Sequence, residues 1–270
     1  MALSAYKDNS AIVTGASSGI GREMALQLAD QGAWLTLTAR NTQALEQVAA
    51  ECRKRGARAI VVTADVSDEA QCKKIIEAAV AEYGRIDTLI NNAGFGQGGY
   101  FESLPNLETF RQVMDVNFMG TVYCAHHALP HLKKACGRIV SISSIMGLVG
   151  VPMYSSYSAS KFAMTGFAEV IRMELMGSGV SVTSIHPNFV VSEFAGRLLK
   201  PDGTPLGDKG KRIYTSRTMT SSVCARLTLQ AAAKRKRHVV MTPSGKLVVF
   251  MHGLVPGLVD KVMRKMFGKK

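Results

Sequence analysis

The segment that begins at Tyr157 carries a phenol and an ammonium four residues apart, at Tyr157 and Lys161. If the segment is helical, both side chains lie on one face, about 6 Å apart along the axis. A phenol with a pKa of about 10 is a poor base at neutral pH, but a neighbouring cation favours the phenolate and lowers that pKa. The pair is therefore a candidate for proton transfer, although a packed tyrosine and a solvated lysine at this spacing are common in helices.

A glycine-rich turn, Thr14 to Gly21, offers a second kind of chemistry, with the spacing Gly-x-x-x-Gly-x-Gly between a predicted strand and a predicted helix. Glycines at such a place let backbone N–H groups approach a pyrophosphate at the positive end of the helix dipole. The same residues match the Gly-x-Ser-x-Gly elbow of hydrolases. An elbow on the first strand has no earlier strands to build the hydrolase sheet. We therefore favour a nucleotide site over a hydrolase and over a turn that binds nothing.

The end of the second predicted strand bears on which nucleotide binds. An acid at this position in dinucleotide-binding folds favours NAD, whereas an arginine suits the additional phosphate of NADP. Arg40 follows the strand and no acid does. We therefore expect NADP(H) to be preferred, with NAD(H) as the second choice.

The elements that would position these residues alternate along the chain. Short β-branched runs predict buried strands, and the longer stretches between them carry apolar residues at helical spacing. The predicted strands are 11–14, 34–38, 58–63, 88–90, 137–142 and 180–185, and the predicted helices are 22–31, 42–55, 69–83, 107–127 and 157–176. Such alternation predicts an α/β fold, with a doubly wound parallel sheet and helices on both faces. The ligand crevice is expected at the carboxyl ends of the strands.

Taken in order, the motifs resemble those of the classical short-chain dehydrogenase/reductase family. The resemblance rests on the glycine turn, Asp65 after the third strand, Asn91-Asn92-Ala93-Gly94 after the fourth, Ser143-Ser144 after the fifth, and Tyr157-x-x-x-Lys161. It covers residues Asn9 to Ser192 and implies a single Rossmann-type domain, to which we assign residues 1–270. It also implies an oxidoreductase that transfers a hydride between NADP(H) and a carbonyl or secondary alcohol.

The resemblance further implies roles for individual residues. Tyr157 would be the general acid and base, Lys161 would bind the nicotinamide ribose and lower the pKa of Tyr157, and Ser144 would hydrogen-bond the substrate oxygen. Asn117 would hold a water beside Lys161. The implied cofactor contacts are Gly15, Ser17, Ser18, Gly19, Ile20, Gly21, Arg40, Asp65, Val66, Asn91, Ala93, Gly94, Tyr157, Lys161, Pro187, Val190 and Ser192.

The segment after the sixth strand departs from the family pattern at two positions. Asn188 replaces the usual glycine and Ser192 replaces the usual threonine. Because asparagine tolerates a left-handed backbone and serine keeps a hydroxyl, we expect cofactor binding to survive both changes.

Composition excludes several classes of protein. The chain has 270 residues, of which 47% are hydrophobic and 20% charged, a balance typical of globular proteins and not of disordered, collagenous or coiled-coil chains. Its five cysteines are odd in number and form no Cys-x-x-Cys pair, which predicts reduced thiols in the cytoplasm and neither a disulfide framework nor a metal site. We also expect neither a secretion signal nor a transmembrane helix.

Most of the net charge of +13 lies in residues 234–270, which hold ten Lys and Arg against the single acid Asp260. We predict a strand at 238–242 here, followed by an amphipathic helix. This basic, apolar extension resembles that of hydroxysteroid and retinoid-type members. It suits either peripheral contact with a membrane surface or closure over a neighbouring subunit's pocket. We expect a homodimer or homotetramer and no nucleic-acid partner.

The substrate is expected to be lipophilic. Apolar residues follow Ser144 and recur in the segment 95–101, and residues 193–222, rich in Pro, Gly and basic residues, are predicted to form a substrate lid. A steroid-like or retinoid-like ketone or alcohol fits such a pocket better than a sugar does. The alternatives are a 3-oxoacyl carrier-protein reductase and, in a different class, an NADP-sensing scaffold without catalysis.

Overall fold

The computed structural model describes residues 3–207, 215 and 218–268. The strands in this part of the chain are β1 Ser10–Thr14, β2 Trp34–Ala39, β3 Ala59–Thr63, β4 Thr88–Asn91, β5 Arg138–Ile142, β6 Ser181–His186, β7 Val190–Val191, β8 Met219–Thr220 and β9 His238–Val240. The α-helices are α1 Gly19–Ala29, α2 Thr42–Lys54, α3 Glu69–Tyr83, α4 Glu108–Met114, α5 Gly120–Lys134, α6 Ser155–Glu174, α7 Phe194–Arg197, α8 Ser221–Ala233, α9 Pro243–Leu254 and α10 Pro256–Phe267. A short 3₁₀ helix, Leu3–Tyr6, precedes β1.

Seven strands form one parallel sheet in the order β3-β2-β1-β4-β5-β6-β9. Its central strands are apolar because both faces are covered. In β1, Ala11 and Val13 pack into a core shared with α1, α2 and α8, whereas Ile12 packs on the other face with α3, α5 and α6. All five β1 residues are buried, as expected for the centre of a doubly covered parallel sheet. The predicted α/β fold with a doubly wound sheet is confirmed.

The chain runs outward from β1 to β3 and then returns to β4 on the other side of β1. This reversal opens a crevice at the carboxyl ends of β1 and β4. Thr14 Oγ1 ties the two strand ends together by accepting hydrogen bonds from the backbone N of Asn92 and of Ala93, at 2.9 and 3.0 Å. Asn92 Nδ2 in turn donates to the carbonyls of Thr14 and Gly15. The glycine turn and the Asn91–Gly94 segment therefore form one unit.

The predicted helix 107–127 was wrong in two respects. A π-helical turn, Asp115–Met119, separates α4 from α5, and α5 continues through Pro130 to Lys134. The turn places Asn117 where its side chain bonds to Phe95, and a Cβ on Gly120 would lie only 2.8 Å from Val66 Cγ2. These contacts join distant parts of the chain, so apolar periodicity does not report them.

The predicted lid and the C-terminal extension differ in detail from their predictions. Of the predicted lid 193–222, residues 208–214 and 216–217 lie outside the described part. Strands β7 and β8, which flank the undescribed residues, pair with each other, and Val190 lies opposite Met219. This pairing was not predicted. Beyond it, the predicted single amphipathic helix is two helices, α9 and α10. Pro256 begins the second of them, because proline cannot supply the N–H that would continue the first.

Candidate active site

Helix α6 brings Tyr157 and Lys161 together, as their spacing predicts. The Lys161 ammonium lies 5.6 Å from the centre of the Tyr157 ring. The lysine is only 3% exposed, and its Nζ donates a 2.8 Å hydrogen bond to the carbonyl of Ile142 at the end of β5. A buried cation is therefore held beside a half-buried phenol at the carboxyl edge of the sheet.

Ser144 is the serine that contacts Tyr157. Its hydroxyl is close enough to lower the pKa of the Tyr157 phenol, and its Oγ accepts a bond from the backbone N of Met146 at 3.1 Å. Neighbouring serines serve the backbone instead. Ser143 donates to the carbonyl of Lys161, and Ser160 donates to the carbonyl of Tyr157. Ser144 is thus placed to share a substrate oxygen with the phenol.

The pKa values of the pair differ from the sequence-based expectation. Burial raises the pKa of Tyr157 to about 12, against a smaller lowering by the neighbouring Ser144 hydroxyl. Burial also lowers the pKa of Lys161 to about 7. We expected Lys161 to lower the pKa of Tyr157. Loss of hydration instead disfavours both charged forms, and the ammonium is bonded to the Ile142 carbonyl. At neutral pH the Tyr157 phenol therefore keeps its proton.

Asn117 lies in the π-helical turn beside the Lys161 end of the site. Its Oδ1 accepts a 3.0 Å bond from the backbone N of Phe95, and its Nδ2 donates to the Phe95 carbonyl and to Ser160 Oγ. A Cβ on Gly94 would be 2.8 Å from Asn117 Oδ1 and 3.6 Å from Lys161 Nζ. The side chain thus fixes the backbone after β4. Its role in holding a water stays a prediction.

The glycine turn forms a concave backbone surface, here called the glycine cradle, that side chains on its glycines would fill. Gly15 and Gly19 have positive φ values of 66° and 56°, and a Cβ on Gly15 would be 2.9 Å from Ala93 Cα. A Cβ on Gly21 would collide with the Gly15 carbonyl. Ser18 precedes α1 without capping it through its side chain, and Ser17, Ser18 and Ile20 are partly exposed. The backbone N–H groups at the start of α1 are thus available to a phosphate group.

The residues expected at the adenosine half of a nucleotide lie after β2, β3 and β4. Asn91 is only 2% exposed, and neither Nδ2 nor Oδ1 of its side chain has a partner among the described residues. Val66 is buried, and Asp65 forms a 3.7 Å ion pair with Arg40, whose side chain is 75% exposed. The unmet amide of Asn91, together with the glycine cradle, fits a bound dinucleotide, since buried polar groups are normally paired.

The segment after β6 supports the same crevice. The Pro187 carbonyl accepts a 2.9 Å bond from the backbone N of Ile145, Val190 is buried in β7, and Ser192 Oγ accepts from the backbone N of Phe194. The non-glycine residues with positive φ in the described part are Asp8, Cys136, Met153 and Arg235. Asn188 is not among them. It therefore replaces the family's glycine without the left-handed backbone that we expected it to need.

Sequence reasoning missed Arg197. This residue of α7 donates a hydrogen bond to the Ser18 hydroxyl, and a Cβ on Gly19 would be 3.5 Å from Glu193 Oε2. The start of the predicted lid therefore lies over the glycine turn, with a cation beside it. One basic residue among several in the segment gave no local signal of this contact.

Only some of the apolar residues expected to line the substrate pocket lie beside Tyr157. The Phe194 ring centre is 5.5 Å from that of Tyr157, and a Cβ on Gly96 would touch Tyr157 Cδ2 at 3.1 Å and Leu198 Cδ1 at 3.0 Å. Val149, in contrast, is only 2% exposed and packs in the interior. Across the described residues, no group of three or more His, Cys, Asp or Glu is placed to hold a metal ion.

Comparison with known proteins shows the family to which this chain belongs. A family model described as short chain dehydrogenase matches residues 9–202. The chain belongs to the short-chain dehydrogenase family. Among its relatives is an 11-beta-hydroxysteroid dehydrogenase of Pinus massoniana, 36% identical over 262 residues that cover 95% of this chain and 73% of the relative. Another is the 11-beta-hydroxysteroid dehydrogenase 1A of Arabidopsis thaliana, 35% identical over 254 residues that cover 92% and 72% of the two chains.

A solved structure gives the same answer for the fold. The crystal structure of a short chain dehydrogenase/reductase from Burkholderia phymatum, in complex with NAD, matches with a TM-score of 0.85 and 27% identity, covering 94% of this chain and 95% of that one. This short-chain dehydrogenase is thus an oxidoreductase that acts on CH–OH groups, on a fold that binds NAD(H) or NADP(H). In the described part of the chain, no helix is both long and apolar enough to cross a membrane.

Proposed function

We propose that the protein reduces a lipophilic ketone, or oxidises the matching secondary alcohol, with NADP(H) as the preferred cofactor. Residues 1–270 act as one domain, and the described part of the predicted lid, residues 193–207 and 218–222, covers the site. The observation that carries this proposal is the buried Lys161 Nζ, 5.6 Å from the centre of the Tyr157 ring, with the Ser144 hydroxyl near that phenol. When bound, the nicotinamide supplies or accepts the hydride.

The side chains divide the proton chemistry. Ser144 Oγ holds the substrate oxygen, and Tyr157, neutral at pH 7, gives its proton to that oxygen as negative charge develops there. Once the proton has left, the phenolate favours the protonated form of Lys161, and this cation 5.6 Å from the ring stabilises the phenolate in turn. Tyr157 regains its proton through a water held by Asn117. In the oxidative direction the same groups act in reverse order.

NADP(H) is preferred in this proposal because of exposed positive charge near the expected adenosine site. Arg40 follows β2, and its side chain is 75% exposed. An arginine at a strand end of this kind suits the additional phosphate, because its guanidinium is positively charged and can donate two parallel hydrogen bonds to phosphate oxygens. The proposed contacts of the rest of the cofactor are the glycine turn, Asp65, Val66, Asn91, Ala93, Gly94, Pro187, Val190 and Ser192.

A panel of substrates tests the proposal against its alternatives. NADPH and NADH oxidation would be followed with lipophilic ketones, aldehydes, steroids and oxoacyl thioesters. Turnover with NADPH on a lipophilic ketone is the expected result, and Phe194 and Leu198 beside Tyr157 favour it. Preference for the oxoacyl thioester would favour a 3-oxoacyl carrier-protein reductase. NADPH binding without turnover on any substrate class would favour a sensing scaffold.

The proposal includes assembly of identical subunits. The outer side of α6 exposes Phe162, Val170 and Met173, at 44%, 48% and 56%, where a second copy of the chain would exclude water. Light scattering in solution is expected to give a dimer or tetramer. Substituting Val170 with Lys should then dissociate it, whereas a monomeric parent protein would refute the assembly.

A membrane surface is the second proposed partner. Helices α9 and α10 expose an apolar stripe, Leu247, Phe250, Leu254, Leu258, Val262 and Met266. Lys261 and Lys265 flank the stripe on α10, which suits an interfacial helix on anionic lipid. The protein should sediment with phosphatidylserine vesicles and not with phosphatidylcholine vesicles, and it should lose this binding in Phe250→Glu.

A further inference from the structure

The last residue of β6, His186, is a buried histidine that has no part in the proton chemistry described above. Its side chain is 0% exposed, and its Nδ1 lies 3.0 Å from the carbonyl oxygen of Ser144. Because a carbonyl oxygen can only accept a hydrogen bond, Nδ1 must carry a ring proton and act as the donor. His186 therefore holds the backbone of the serine that is placed to share a substrate oxygen with Tyr157.

Backbone hydrogen bonds hold the residues on either side of Ser144 to the end of β6 and to the segment after it. The backbone N of Ser143 donates a 2.9 Å bond to the Ile185 carbonyl. The backbone N of Ile145 donates a bond of the same length to the Pro187 carbonyl. Ser144 takes part in neither bond. The chain is thus fixed before and after the serine, and the contacts of Ser144 itself set the direction of its side chain.

Ser144 precedes a short 3₁₀ turn, Ile145–Gly147, and both of its oxygens bond to that turn. Its carbonyl accepts a 3.0 Å bond from the backbone N of Gly147, and its Oγ accepts from the backbone N of Met146. Because Oγ already accepts this bond, its hydroxyl hydrogen is left to donate to a substrate oxygen. His186 reaches the same carbonyl from outside the turn, so rotation of the peptide after Ser144 would break its bond.

The other ring nitrogen of His186, Nε2, has no hydrogen-bond partner among the described residues. The ring lies against that of His238 on β9, with the two ring centres 4.3 Å apart. A buried nitrogen without a partner lowers stability, and an apolar side chain of similar size would avoid that loss. Packing alone therefore does not account for an imidazole at this position, whereas the bond from Nδ1 to Ser144 does.

We propose that His186 is a positioning residue: its bond to the Ser144 carbonyl holds the Ser144 hydroxyl toward the substrate oxygen that Tyr157 protonates. This proposal rests on the function proposed above, because it requires Ser144 to hold that oxygen. His186 acts through Ser144 and exchanges no proton with the substrate. Its loss should therefore lower kcat without changing the Kd of NADPH, and the effect should depend on the Ser144 hydroxyl.

Two amide side chains of different length test where the hydrogen-bond donor must lie. In His186→Asn the amide nitrogen is bonded to Cγ, as Nδ1 is in histidine, and it can donate to the Ser144 carbonyl. In His186→Gln the amide nitrogen is one bond further from the backbone, near the place of Nε2. The assay uses NADPH and the ketone that the substrate panel shows to be reduced fastest. We expect kcat to stay within about twofold of the parent's in His186→Asn and to fall about tenfold in His186→Gln. Equal kcat values for the two variants, whether lowered or not, would overturn the proposal.

A double-mutant cycle with Ser144→Ala separates positioning from a general effect on the fold. Ser144→Ala alone should lower kcat by about two orders of magnitude, since it removes a hydrogen bond to the oxygen on which negative charge develops. Adding His186→Gln should then cause no further loss, because no hydroxyl remains to be positioned. A further loss of about tenfold in the Ser144→Ala background would mean that His186 acts on the fold or on another group, and it would contradict the proposal.

Nitrogen-15 NMR of the full-length protein tests the contact without requiring turnover. The His186 ring signals, identified by their loss in His186→Asn, should show a proton on Nδ1 and none on Nε2 at neutral pH. A proton on Nε2 alone would overturn the bond to Ser144 and the proposal with it. If Nδ1 carries the proton and no substrate of the panel is reduced, the proposed activity fails while the contact between His186 and Ser144 stands.

Discussion

Replacing Arg40 with alanine should weaken NADPH binding and leave NADH binding unchanged. In water, two unit charges about 4 Å apart interact by about 1 kcal/mol. The additional phosphate carries nearly two charges, so a fully exposed arginine would contribute about 2 kcal/mol. The Arg40 side chain is 75% exposed, and Asp65, 3.7 Å from Arg40, repels the same phosphate and so offsets part of that attraction. We therefore expect a loss of about 1.4 kcal/mol, or roughly tenfold in the Kd of NADPH.

Fluorescence titration of both nucleotides measures this directly. Lys54→Ala is the matched control, because it removes a positive charge from the far end of α2, roughly 18 Å away along the helix. The effect of Arg40→Ala should shrink as salt is raised, since the charge is exposed. An unchanged Kd for NADPH, or an equal loss of NADH binding, would refute the assignment of Arg40 to the additional phosphate.

Three further predictions follow from named contacts. Arg197→Ala removes the side chain bonded to Ser18 and should weaken NADPH and NADH binding alike, about fivefold by titration; a loss confined to NADPH would place it at the additional phosphate instead. Burial lowers the pKa of Lys161 to about 7, so the unfolded chain binds more protons between about pH 7 and 10 and stability rises with pH there. Lys161→Met should flatten this rise in urea unfolding of the nucleotide-free protein, and an unchanged slope would contradict the burial argument. Burial also lowers the pKa of His186 to about 4, so the free energy of unfolding should fall by about 3 kcal/mol as the pH drops from about 6.5 to 4. His186→Gln should remove that loss. A plot of stability against pH identical to the parent's would assign the loss to other groups.

Local pattern accounts for most of the sheet and for the centre of the site. The central strands could be predicted because they are buried on both faces. The predicted helix Glu69–Tyr83 matches α3 residue for residue because Asp68 caps its start and Gly84 ends it in a left-handed conformation. The pairing of Tyr157 with Lys161 followed from helix geometry alone. Such features depend on residues close together in the chain.

The features that the sequence did not predict depend on the assembled fold. Arg197 and Ser18 are 179 positions apart, and the joining of β7 to β8 brings together two short strands that have no periodicity of their own. The predicted direction of the shift in the pKa of Tyr157 was wrong for the same reason. Spacing places a cation near a phenol, but only packing decides how much hydration each loses.

Reduction of a lipophilic ketone by Tyr157→Phe tests the central claim most directly. The variant keeps the ring and removes only the proton donor, so kcat should fall by about three orders of magnitude while the Kd of NADPH stays unchanged. Tyr123→Phe, which removes a phenol hydroxyl from α5 away from the site, should keep full activity. If Tyr157→Phe retained the parent's kcat, the assignment of Tyr157 as proton donor would be wrong.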